Sequence, residues 1–156
     1  MVENSINIVI ETSQSRETMT SIIHRDVNFF SYRDPIARRA AIEEVFHVGV
    51  VWFDFDGTIH RGHDGLLARS SLLLEQMPGT IHHTEGAPSI CQNMVTQRWY
   101  AVREGDPNAS SQAALVQGCD VAVVEGKKIK VLWSCVDRFD EQALPGLGKG
   151  PSQPIL

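Results

Sequence analysis

The apolar residues of this chain change their spacing at Pro78-Gly79, and that change limits the fold more than any single motif does. Before it, Met19, Ile22, Ile23, Val27 and Phe30 recur at helical spacing. Asp34 and Pro35 read as the N-cap and first residue of a second helix, DPIARRAAIEEVF, with Ile36, Ala40, Val45 and Phe46 expected inward. The run GVVWFDF reads as a strand, and DGTIHRG after it as a turn. A third helix is expected over about residues 64–76, with Leu66, Leu67, Leu73 and Leu74 apolar. After Pro78-Gly79 the pattern alternates. Residues 80–86, 93–103, 113–124 and 128–137 read as strands, GDPNASS as a loop, and EGK as a tight turn with Gly126 at positive φ. Helices first and antiparallel strands later predict an α+β fold rather than alternating α/β.

A chain of 156 residues fits one domain, and 42 % hydrophobic with 21 % charged residues supports one packed core. No apolar run reaches the roughly 18 residues of a membrane helix, so no membrane partner is expected. The N-terminal MVENSINIVIETS lacks a basic start and a long apolar stretch, which points to a cytoplasmic location. The net charge of −5 disfavours nucleic acid as a partner. Three widely spaced cysteines, Cys91, Cys119 and Cys135, argue against a disulfide framework and read as small buried apolar residues. His60-Arg61-Gly62-His63 with Asp64, and His82-His83, have ligand-like spacing. Gly62 places the first group in a loop, however, and adjacent strand histidines point to opposite faces, so no metal site is expected.

The string VVWFDFDGTIH resembles the first motif of haloacid-dehalogenase-like phosphatases, in which Asp54 would be the nucleophile and Asp56 the general acid and base. That motif needs a parallel α/β sheet built after it, and the residues after Asp56 read as antiparallel strands. The phosphatase is therefore a remote alternative.

Three segments in order resemble a different family. DPIARRAAIEEVF resembles a second helix introduced by Asp-Pro, VVWFDFDGTIHRGHDGL a strand, turn and third helix, and GCDVAVVEGKKIKVLWSCVDR a closing strand pair. Together they resemble SnoaL-like proteins of the nuclear transport factor two and ketosteroid isomerase superfamily. The resemblance implies a curved antiparallel β-sheet with three N-terminal helices closing a conical cavity, a cystatin-like roll. It implies an N-terminal arm at 1–15, the cone at 16–138 and a Pro/Gly-rich tail at 139–156. It also implies a homodimer and a small hydrophobic or polyketide-like ligand, with cofactor-free acid–base chemistry of isomerase, cyclase or dehydratase type. A non-catalytic binding or dimerisation module of the same fold is the alternative.

Acids that interrupt apolar stripes are the candidate catalytic residues. Asp26 falls among Ile22, Ile23 and Phe30, Asp54 shares a face with Val50 and Trp52, and Asp120 shares one with Val116, Ala122 and Val124. Each has a structural alternative: an edge pairing with Arg25, a cap on the DGT turn, or a tie to a neighbouring strand. The resemblance places a proton-shuttling carboxylate at Asp54 and a neutral, donating acid at Asp120. It also puts Asp26 where the isomerases carry a donating tyrosine, which argues against steroid isomerisation itself. Phe30, Trp52, Trp99 and Trp133, with one of His82 and His83, are the candidate ligand-binding residues. Arg38 and Arg39 read as a solvated helix face, and Ser70 and Ser71 have no base in register.

Overall fold

The structure is a computed structural model and describes residues 13–148. The chain runs α1 (Ser13–Phe29), α2 (Pro35–Val45), β1 (Phe46–Phe53), β2 (Ile59–Arg61), α3 (Gly62–Gln76), β3 (Thr80–Cys91), β4 (Met94–Arg103), β5 (Val116–Glu125) and β6 (Lys128–Phe139). The six strands form one open sheet in the order β2-β1-β6-β5-β4-β3. Three helices and a curved sheet make the fold α+β. Every junction is antiparallel except β1–β6, which is parallel. That junction joins strands from opposite ends of the domain, so no local signal could announce it. No described helix is long and apolar enough to cross a membrane.

Local chemistry sets most of the elements. The Asp34 carboxylate accepts from Ala37 N at 3.0 Å, and Pro35 opens α2 as expected. The β5–β6 hairpin turns through Gly126 and Lys127, both at positive φ (58° and 65°). The short strand β2 lies inside the segment read as a turn, where it pairs with the end of β1.

The buried stripe of α2 differs from expectation. Arg38, Ile42 and Val45 face inward, whereas Ile36 is 80 % exposed. The helical phase was misjudged because an arginine occupies the inward position. Arg38 is not on a solvated face. Its guanidinium donates to Ser70, Ser71 and the carbonyls of Tyr32 and Arg33, which also explains the two serines of α3.

The cysteines are not buried either. Cys91 and Cys135 are exposed and Cys119 is half-buried, because all three fall on the side of the strands away from the core or near a strand end. Past β6 the chain turns back, and Leu144 and Leu147 are buried in the core. Residues 1–12 of the expected arm and 149–156 of the expected tail lie outside the described residues.

Candidate active site

The helices and the inner face of the sheet surround an apolar pocket. Phe30, Trp52, His82 and Trp99 form its aromatic walls. His82 packs between Phe30 and Trp99 with ring centroids 5.2 and 5.3 Å away. The open space at the centre is about 30 Å³, room for one or two waters. Phe55 and Leu147 line both this pocket and a broader outer depression of about 460 Å³, so they form the wall between the two.

Two acids meet at the base of the pocket. Asp26 (0 % exposed) projects from α1 and Asp120 (2 %) from β5. Asp120 accepts from Trp99 Nε1 at 3.0 Å and from the Ser134 hydroxyl. Ser134 in turn accepts from Trp52 Nε1 at 3.0 Å. Among the described residues no N–H or O–H group donates to either carboxyl oxygen of Asp26, and the group that interacts with it is the Asp120 carboxyl.

Two facing carboxyls in an apolar interior cannot both be ionised, so they hold a proton between them. The donors around Asp120 favour the carboxylate there, and Asp26 carries the proton. Burial, then the charge of Asp120 and the hydrogen bond to it, raise Asp26 well above the ordinary carboxylate range. Burial pushes Asp120 up to about 6, opposed by its donors.

Gly118 makes this geometry possible. A Cβ there would lie 2.2 Å from the Cys135 carbonyl oxygen and 2.7 Å from the Trp99 ring. Only glycine lets the indole lie across β5 and aim its N–H at Asp120.

Asp54 lies just past β1, on the pocket wall, but both of its oxygens are engaged. Oδ1 accepts from Phe55 N at 2.8 Å and Oδ2 from Arg69 Nε at 2.6 Å. Arg69 also donates to Asp56 at 2.9 Å, and Asp56 accepts the Thr58 hydroxyl at 2.6 Å. Burial raises Asp54, with Arg69 opposing it. Asp56 is partly buried, yet bonds from Thr58 and the Arg69 charge bring it below the ordinary range. The DxDGT string therefore forms an Arg-clamped turn between β1 and β2, without the parallel sheet its phosphatase resemblance requires.

Of the expected site residues, Asp26, Asp54, Asp120, Phe30, Trp52, His82 and Trp99 converge on the pocket or its base. His83 and Trp133 do not. His83 stacks on Tyr100, and Trp133 is 39 % exposed and stacks on Phe53. Strand alternation turns each away from its inward neighbour, His82 or Ser134.

His82 is 7 % exposed, and its Nδ1 has no hydrogen-bond partner among the described residues. Burial, then His83, lowers it to about 4, so it is neutral at ordinary pH. His60 and His63 diverge, one to Thr58 and one to the Phe46 carbonyl. Among the described residues no three His, Cys, Asp or Glu side chains converge as a metal site.

Residues of the site that went unread in the sequence include Arg69, Ser134, Leu147, Phe55 and Gly118. Arg69 did leave a signal, since it falls between Leu66 and Leu73 at helical spacing, where an arginine must find a buried anion.

No protein-family model matches the sequence, and no curated protein matches it. Solved structures do match. A candidate isomerase of the SnoaL-like family from Agrobacterium tumefaciens superposes with a TM-score of 0.68 at 16 % identity, covering 78 % of this chain and 99 % of that one. A candidate SnoaL-like polyketide cyclase from Jannaschia gives 0.64 at 12 % identity, covering 82 % and 91 %. An NTF2-like protein of unknown function from Mesorhizobium loti gives 0.59 at 21 % identity, covering 84 % and 100 %. At such identities the likeness is one of fold: this chain has the fold of these SnoaL-like and NTF2-like structures.

Proposed function

We propose that this chain binds a small, flat, mostly apolar molecule bearing an oxygen function and moves a proton on it without a cofactor. One observation carries the reading. A proton-sharing acid pair, Asp26 and Asp120, and the Nδ1 of His82, unpartnered among the described residues, meet at a mainly apolar pocket. Asp120 is the base, with its lone pairs held toward the pocket by Trp99 and Ser134. Asp26 carries the pair's one proton and delivers it to the ligand as Asp120 takes another from it. His82, neutral, hydrogen-bonds the ligand oxygen. Asp54, clamped by Arg69, is a fixed polar wall rather than the shuttle that the resemblance implies.

Proton transfer next to a carbonyl suits this set, because the negative charge that develops meets a neutral acid and an imidazole in a dry site. The isomerase and cyclase names of the structural neighbours agree with that chemistry. A cytoplasmic homodimer belongs to the same reading, and sedimentation equilibrium checks the dimer.

The test is solvent-deuterium exchange at the α-carbon of cyclic ketones, followed by NMR. Exchange should fall by about 10²–10⁴-fold in Asp120→Asn. Binding without any exchange would favour the non-catalytic module, a reading to which the small pocket lends weight.

Pocket size gives a separate expectation. Leu147 is 3 % exposed and fills the side of the pocket facing the outer depression. Leu147→Ala should cost about 2–3 kcal/mol of stability by leaving a cavity. It should also tighten cyclic-ketone binding severalfold, read by tryptophan fluorescence titration. Unchanged affinity would show that ligand does not enter past Leu147.

A further inference from the structure

We propose that Cys119 and Cys135 form a reversible dithiol–disulfide site on the outer face of the sheet, closed by low-molecular-weight disulfides. The two cysteines are far apart in sequence, yet they are direct cross-strand partners of β5 and β6. Asp120 and Ser134, their chain neighbours, point into the pocket, so both thiols point out of it. Directly opposed residues of an antiparallel pair have Cα atoms about 4.5 or 5.5 Å apart. Both values lie inside the disulfide range of about 4.4–6.8 Å. The rung continues to Arg98 of β4, whose guanidinium reaches across to Asp137 at 2.7 Å. The pair thus occupies a charged, water-facing end of the sheet, with Cys135 exposed and Cys119 half-buried.

These placements order the steps. The Cys135 thiolate attacks a sulfur of oxidised glutathione and expels one glutathione thiolate. The Cys119 thiolate then attacks the Cys135 sulfur of the mixed disulfide and expels the second. The dithiol loses two electrons and two protons, and one oxidised glutathione becomes two reduced ones. The second step is intramolecular, with an effective concentration of about millimolar or higher, so the mixed disulfide does not accumulate. The closed bond ties β5 to β6 one rung from Asp120 and Ser134.

The native chain is incubated with oxidised glutathione, its free thiols are alkylated, and it is digested with trypsin without reduction. Lys127, Lys128 and Lys130 place the two cysteines on separate peptides. The expected result is a linked Cys119–Cys135 peptide, two of the three thiols lost, and full reversal by dithiothreitol. Exposed Cys91 serves as the internal reference. In Cys119→Ser, Cys135 should instead retain one glutathione. A glutathione adduct on Cys91 alone, a link through Cys91, or a stable adduct on Cys135 in the unaltered chain would each overturn the proposal.

Discussion

Replacing Arg69 with methionine should lower the unfolding free energy by about 3–5 kcal/mol, the usual cost of orphaning a buried charge. For a domain of this size that is a fall in Tm of roughly 6–20 °C. The Arg69 side chain is 5 % exposed and the Asp54 side chain 1 %, and the two meet at 2.6 Å. Without the guanidinium, Asp54 must either stay charged in a dry site or take up a proton, and Asp56 loses its bond at 2.9 Å. Lysine should rescue little, because its single ammonium cannot span both carboxylates as the planar fork does. Asp54→Asn in the Arg69→Met background should recover part of the loss, since the amide needs no counter-ion. Urea melts with unchanged m-values are the measurement. A loss below about 1 kcal/mol would mean that water reaches the pair and that the clamp is a surface feature.

The buried ionisable groups should produce opposing pH dependences that single substitutions separate. Asp120 titrates near 6 in the fold against an ordinary 3.8, so the unfolded chain releases its proton first. The stabilisation it gives is complete below pH 3.8 and is lost as pH rises through 6, about 3 kcal/mol in all. His82 runs the other way. Its folded value of about 4 lies below the ordinary 6.5, so its stabilisation is complete above 6.5 and lost as pH falls through 4, by a similar amount. The two windows nearly coincide and largely cancel. Asp26, raised well above the ordinary range by burial and by Asp120, adds a loss of the same sign as pH rises.

Relative to the unaltered chain, His82→Phe should therefore lose about 3 kcal/mol as pH rises from 4 to 6.5. Asp120→Asn should gain a similar amount over the same interval. Asp26→Asn should remove the part of the decline with rising pH that the raised Asp26 carboxyl contributes. Chemical denaturation across pH 4–9 reads all three. Parallel curves for all the variants would mean that these groups are solvated, and the acid-pair reading of the site would go with them.

Much of the site could be read in advance because it breaks local patterns. Asp26 sits in the middle of an apolar helical stripe, and Asp120 in the middle of an apolar strand face, so each had to be buried or paired. Arg69 breaks its own stripe in the same way. The phase of α2 was misread because Arg38, with Ser70 and Ser71 to receive it, takes a position that hydrophobicity would assign to Ile36. His82 and His83 could be told to face opposite ways, but which of them faced the pocket depended on the register against β4.

The sequence by itself determined the order of the helices and of the five longer strands, the Asp34 cap, the Gly126 turn and the acids that had to find partners. These depend on interactions within a few residues, where periodicity and backbone preference act directly. Only the tertiary structure decided that β1 lies parallel to β6, that Asp26 faces Asp120, that Arg69 clamps Asp54, that Leu147 returns to the pocket and that Cys119 opposes Cys135. Each joins side chains brought together by the closing of the sheet and the packing of helices across it. Their energies belong to that long-range arrangement, which the spacing of neighbouring residues does not encode.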